Sequence, residues 1–526
     1  MYTFSSKLKT LSFILMVLGA LGIGYGFLTA PKTTQDVEAI LKAEHAEHGG
    51  EAHETKGESH ERKSESHEGK SESHEVESSH NEIKKTESVT NEKLVATSKG
   101  SNKVDTLNKS VSAKILEVAE KQLSIAEEAK SVHGVKHDEA KALLAEKKEH
   151  EDHLKHVEHT LTQLQNKPWA ALYIPCLFFM LIALGALVFY ALQNVAQSGW
   201  SPVLFRVMQG VGSYLLPGSI IFFILLILSG LNFNHLFAWT VDGVATVGSE
   251  HYDKIIAGKS GYLNFPFWII RAAIFLIGWN IYRVVSRRND LRQDEANDNL
   301  NYKKNFKASA AFLVFFIVTE SIMSWDWIMS VDPHWSSTLF GWYVFASFIV
   351  SSVTVISMTT IYLKSRGYLE HVNTSHIHDL SKFMFGFSVF WTYLWFSQFM
   401  LIWYSNIPEE VTYYVTRIRD YNLPFFGAIA LNFLFPLLVL INTDFKRVAP
   451  IVIGAGVVII CGHYIDFFNM IMPATVGNHW FIGVSEISSV LFFLGLFIFT
   501  AFTTLTKVPL LPKRNPFIEE SKHFHY

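Results

Sequence analysis

Trp169–Leu192 reads WAALYIPCLFFMLIALGALVFYAL, 24 residues without one charged side chain. A bilayer core takes about 20 such residues as an α-helix, so this stretch reads as a membrane span. The stretch before it could hardly differ more. Residues 31–166 hold 28 of the 48 acidic, 20 of the 45 basic and 13 of the 23 histidine residues, and no aromatic one. The other 390 residues carry all 74 aromatics and only 45 charges. A soluble surface of that size needs far more charge. The 526-residue chain is therefore expected to be an all-α polytopic membrane protein with one polar insertion. Its net charge of −3 shows no basic excess, which argues against nucleic acid as a partner.

Ten apolar runs are long enough to span: roughly 9–28, 169–192, 203–229, 265–285, 308–330, 339–363, 383–404, 422–442, 449–471 and 484–506. The first, which follows Lys7 and Lys9, also fits a signal peptide cut near Ala30. No A-x-A site closes it, and Gly19-Ala20-Leu21-Gly22 continues a full-length span, so we read residues 1–30 as a retained helix. Orientation follows from the lysine and arginine bias of short loops. With the N-terminus inside, inside segments carry 19 basic residues, seven of them in loop 282–307. Outside loops carry four: Lys254, Lys259, Arg417 and Arg419. Both termini are thus expected in the cytoplasm and the polar insertion in the periplasm.

Residues 31–107 are rich in His, Glu, Ser and Lys, with too little apolar surface to offset ordering, and read as a disordered arm. His53, His60, His67 and His74 repeat there every seven residues. Imidazoles at that density can bind zinc or copper, but nothing presets a ligand geometry, so a solvated low-complexity tether is the preferred reading. Residues 108–166 regain apolar spacing and read as amphipathic periplasmic helices.

Ionisable groups inside spans are costly, and each is a functional candidate by default; the bland alternative is a paired or snorkelling structural charge. Arg206, Arg271, Arg283 and Asp444 lie near span ends and read as interfacial. Glu320, Asp326, His463, Asp466 and Glu486 lie deeper and form the proton-pathway candidates. His463 and Asp466 are three apart and share a helix face. Asp326 is the nineteenth residue of its span and Asp466 the eighteenth of its own, 140 residues later. Both have aromatic neighbours (Trp325 and Trp327; Phe467 and Phe468) and precede a proline, a histidine and a tryptophan. A parallel repeat fits, with spans 2–5 (residues 167–337) and 6–9 (338–483) as two four-helix bundles, and 484–526 as last span and tail. On the sixth span Ser347, Ser351 and Thr354 line one face, with Ser357 and Thr360 further in. They either hold water or bond back to helix carbonyls, the latter preferred.

Cys176 and Cys461, 285 residues apart, exclude a cysteine-held iron–sulfur cluster and a CxxCH haem site. Only His463 is a deep histidine, so a two-haem b-type bundle is not expected. No catalytic residue is assigned and no cofactor is expected to be covalently bound. A quinone pocket of lower standing could draw on His334 with Trp325, Trp327 and Trp335, although aromatic residues also gather at interfaces as anchors.

Two runs carry a resemblance. They are Ser324-Trp325-Asp326-Trp327-Ile328-Met329-Ser330-Val331-Asp332-Pro333-His334-Trp335 and Phe399-Met400-Leu401-Ile402-Trp403-Tyr404-Ser405-Asn406-Ile407-Pro408-Glu409-Glu410. Both resemble the NrfD-like (polysulfide-reductase-type) membrane subunits of alternative complex III, and most of all the second such subunit. The resemblance covers roughly residues 168–510 and leaves the histidine-rich arm outside. It implies ten spans with two bundles, in a bacterial inner-membrane complex oxidising quinol (menaquinol among the candidates) toward cytochrome c or an oxidase. It also implies partners: a sister NrfD-like subunit, a periplasmic iron–sulfur subunit, c-type cytochromes and a haem–copper oxidase, with haem c and iron–sulfur clusters on those chains. The function expected is a scaffold with a periplasm-facing proton route and no redox centre of its own. The rivals are direct quinol oxidation and, from another class, proton-coupled secondary transport.

Overall fold

The computed structural model describes residues 2–49, 135–249 and 251–525, with side chains from 2–42, 144–249 and 251–525. The described residues are helical, without strands. The heptad histidines His53, His60, His67 and His74 lie outside them, as does the 108–134 part of the amphipathic stretch; its remainder, 135–166, is helical. Two compact units are formed, residues 37–158 and residues 1–36 with 159–526. The larger one contains the apolar helices.

Among the described residues, ten helices are long and apolar enough to cross a membrane: Ser6–Thr29, Leu144–Val195, Pro202–Gly230, Phe265–Gln293, Leu300–Val331, Phe340–Ser365, Thr374–Ser405, Asn422–Leu440, Ala449–Val476 and Val484–Leu505. They are called spans 1 to 10. All ten apolar runs became helices, and most helices outrun them, because polar residues beyond the apolar run still satisfy their backbone groups helically. Span 7 shows why. It begins at Thr374 rather than 383, since Asn373 caps the amides of Ser375 and His376 at 2.9 and 3.3 Å.

Spans 2 and 6 are the most enclosed, with 94% and 83% of their most apolar stretch buried. Span 6 packs on spans 5, 7 and 9, span 4 on span 5, and span 8 on span 9. Span 1 lies along span 10, where Gly19, Gly22 and Gly26 face Phe492, Ser488 and Ser485 so closely that a Cβ would collide. Such small-residue seams let helices approach where water supplies no driving force. Span 8 is not a uniform α-helix: residues Ala430–Leu434 form one π turn, a wide turn often found at functional sites. It brings Asn432 against Gly462, one residue before His463, where any side chain at 462 would strike the Asn432 amide.

Two of the arginines read as interfacial are buried in ion pairs. Arg206 is buried and paired with Asp290 at 2.8 Å and Asp294 at 2.7 Å. Arg271 is also buried, paired with Asp326. A buried guanidinium keeps its charge, so each folded against a carboxylate instead of reaching for water. Asp444 is exposed and Arg283 half-buried, in keeping with positions near span ends.

Candidate functional site

Asp466 anchors the richest polar cluster in the spans. It is 2% exposed, and three spans converge on its carboxylate. Oδ1 accepts a short hydrogen bond from the Tyr343 hydroxyl. Oδ2 accepts from the Ser347 hydroxyl and from Trp391 Nε1, both at 2.9 Å. Ser347 also lies 2.9 Å from His463 Nδ1. The i, i+3 spacing puts His463 and Asp466 on one face of span 9, and Ser347 of span 6 bridges them. Trp391 also meets the His463 ring edge to face, centroids 5.5 Å apart.

The bridge has a direction. Ser347 owns one proton. When it donates to Asp466, its oxygen accepts from His463 Nδ1–H; when Asp466 is protonated and donates, Ser347 can donate to His463. The three groups therefore have two hydrogen-bond arrangements that differ in where the protons sit. His463 Nε2 has no hydrogen-bond partner among the described residues, so one end of this hydrogen-bonded chain is open. Of the remaining hydroxyls on span 6, Ser351 and Thr354 bond back to the carbonyls of Ser347 and Val350. Ser357 and Thr360 have no partner among the described residues.

Loop charge bias counts Arg417 among the outer-loop charges, yet it is buried beside this cluster. Its guanidinium lies 3.3 Å from the Tyr413 ring centroid and donates to the carbonyls of Tyr413 and Asn469 at 2.8 and 3.0 Å. It makes no ion pair among the described residues. Arg417 and Asp466 line one small cavity of about 10 Å³, together with Gln398 and Asn469. That is space for about one water. It is far below what a quinone ring needs. The side-chain oxygens of Gln398 and Asn469 are buried without partners among the described residues, which is what a bound water would satisfy.

Asp326 differs from Asp466, although the sequence sets them as equivalents. It is fully buried. Arg271 donates from Nε to Oδ2 at 2.7 Å and from Nη2 to Oδ1 at 2.9 Å. The guanidinium also stacks over Tyr262 and Phe267, 4.0 and 4.2 Å from their centroids. This is a two-point ion pair closed by aromatic rings, the geometry of a structural charge. Glu320 is buried without a cation among the described residues, and accepts only from Ser324 at 3.1 Å and Ser321 at 3.3 Å. Glu486 caps span 10, its Oε2 accepting from the Gly483 amide at 2.9 Å. Its Oε1 has no partner among the described residues and faces an apolar cleft of about 590 Å³ that Tyr464 and Cys461 also line.

The residues suggested for a quinone pocket do not gather. Trp327 is buried among Phe222, Phe275 and Trp279. Trp325 is half-buried, its indole nitrogen without a partner among the described residues. Trp335 stacks on Tyr413, centroids 4.0 Å apart. His334 sits in a loop, with Nε2 2.6 Å from Asp253 Oδ2. No metal-holding group of three or more His, Cys, Asp or Glu occurs among the described residues.

The His334 contact has a testable consequence. Asp253 caps the helix Lys254–Lys259 through the amides of Ile255 and Ile256. Its carboxyl is held below the usual range, first by the Ile256 amide and then by His334. A depressed folded pKa means the stabilisation is present above the unfolded value and fades as pH falls through the folded one. Asp253→Ala should cost this turn about 1 kcal/mol, read as faster hydrogen exchange at Ile255 and Ile256. The gap between variant and wild type should close only in strong acid; identical exchange at neutral pH would show that the cap is idle.

Compared with protein-family models and with curated proteins, the chain matches none.

Proposed function

We propose that this chain is an integral inner-membrane subunit of a respiratory quinol:cytochrome c (or quinol:oxidase) oxidoreductase of the alternative complex III type. It scaffolds the assembly and offers a periplasm-facing proton route, without a redox centre of its own. The observation that carries this reading is the Asp466–Ser347–His463 chain, buried between spans 6 and 9 beside space for one water. A carboxylate met only by neutral donors can change its protonation state, whereas one clamped by arginine is held charged. The relay is therefore narrowed to Asp466, Ser347 and His463, with Glu320 as a further uncompensated acid; Asp326 becomes a structural charge and Glu486 a helix cap. The enclosure of spans 2 and 6, four apart, agrees with two parallel bundles. The resemblance in the 324–335 and 399–410 runs supplies the identity of the complex and its partners, and the lysine and arginine bias of the short loops supports both termini in the cytoplasm.

The test is purification of the tagged chain from its native membranes. Haem c and iron–sulfur signals should co-elute with it, together with a second ten-span chain. A chain that elutes alone and drives solute uptake in liposomes would instead be a proton-coupled transporter.

A second reading, direct quinol binding, draws on one observation. The 590 Å³ apolar cleft holds two buried polar atoms without partners among the described residues, Glu486 Oε1 and the Tyr464 hydroxyl. Its volume lies in the range of small-molecule sites. A photoreactive quinone that labels this cleft, rather than the His334 loop, would favour that reading.

A further inference from the structure

Span 4 ends in four arginines, Arg283, Arg287, Arg288 and Arg292, which line a surface pocket of about 350 Å³. Glu295 is the one acid in its wall. None of the four arginines makes an ion pair among the described residues. Arg283 donates to Asn280 at 3.1 Å, and Arg287 reaches only the Thr504 carbonyl, at 3.4 Å. The same helix end does supply carboxylates, but Asp290 and Asp294 are taken by the buried Arg206. Loop charge bias accounts for basic residues near a span end. It does not account for four guanidiniums set around one concavity while both nearby aspartates pair with another arginine, Arg206.

Span 4 is also too long for the hydrocarbon layer. Its 29 residues extend about 43 Å against a core of about 30 Å. With its start at one boundary, the final two turns lie at headgroup level. Leading up to the pocket, the helix exposes Ile270, Ile274, Ile277 and Ile281, each more than half accessible. Spacings of four, three and four keep them on one face, and Val284 carries that face into the pocket wall. A cationic pocket thus ends a continuous apolar ridge, the outline of a charged amphiphile.

We propose that this pocket binds the phosphate headgroup of an anionic membrane phospholipid, its acyl chain lying along the isoleucine ridge. Guanidinium forks match phosphate oxygens in geometry and charge, and basic pockets at this level suit anionic headgroups. The proposal needs only that span 4 crosses a bilayer, so it stands or falls apart from the proton relay.

The test uses the full chain in nanodiscs of phosphatidylcholine with a minor share of phosphatidylglycerol, followed by gentle extraction and native mass spectrometry. Wild type should retain phosphatidylglycerol in preference to phosphatidylcholine. Arg287→Gln with Arg288→Gln should reduce that retention about tenfold or more, while the paired lysine substitutions keep part of it. Should the double variant fail to elute as one folded species, Arg292→Gln alone, at an exposed position, should still show a loss. Equal retention of both lipids by wild type, or undiminished phosphatidylglycerol in a folded variant, would overturn the proposal. A parallel arm offers radiolabelled inorganic phosphate to protein in phosphatidylcholine discs. Phosphate uptake without any lipid preference would make the pocket a free-anion site and equally reject the lipid.

Discussion

Asp326→Asn is expected to destabilise the chain by about 3 kcal/mol or more, since one half of a buried pair would be left as an uncompensated charge. Arg271 is 7% exposed, and its other polar partner is the Tyr262 carbonyl at 3.2 Å, which carries no charge. A folded protein holds only about 5–15 kcal/mol in reserve, so lower yield and earlier thermal loss of the detergent-solubilised species should follow. Arg271→Leu with Asp326→Leu should recover much of the deficit, because replacing both members with apolar groups is often near neutral. That recovery separates a structural pair from a proton carrier. Normal stability in Asp326→Asn would mean that the guanidinium finds other partners, and Asp326 would return to the relay.

Asp466→Asn is expected to do the reverse: leave the chain assembled but abolish proton coupling. The amide has nearly the same shape and keeps one acceptor oxygen, but it cannot gain or lose a proton. Quinol-driven proton release by the purified complex in liposomes should fall by about tenfold or more, in line with the loss of a positioned acid–base group. Ser347→Ala offers a finer cut. It removes neither titratable group, only the hydroxyl between them, and should weaken coupling if the chain runs through that oxygen. Unchanged proton-to-electron stoichiometry in both variants would end the relay proposal, while failure of the complex to co-purify would instead strike at the identity of the assembly.

Local signals in the sequence carried part of the candidate site. His463 and Asp466 sit three apart, and helical periodicity alone puts them on one face; their meeting completes what spacing began. Ser347 was visible as one hydroxyl in a stripe, but its choice of side-chain partners over a helix carbonyl was not. Ser351 and Thr354, on the same stripe, took the carbonyls. The difference lies in what faces each residue from span 9, more than 100 positions away in the chain.

The arginines were the least legible. Arg271 lies 55 positions from Asp326, and no local pattern joins them. Arg417 was legible only as a loop charge. It lies on the helix Pro408–Arg419, the strongly amphipathic segment beside Asp466, and nothing in composition says that this helix turns inward. Apolar length shows where helices cross and charge bias suggests which way, but neither resolves which faces of two helices touch.

What the sequence determined by itself was the number of the apolar helices and where each lies in the chain, because apolar run length is a local property and a bilayer leaves the backbone few alternatives. What only the tertiary structure decided was the character of two similar aspartates. Asp326 met a guanidinium and Asp466 met hydroxyls, an indole and a water-sized space. The protonation behaviour of a buried acid is set by its neighbours within a few ångströms, and those neighbours are chosen by packing rather than by position along the chain.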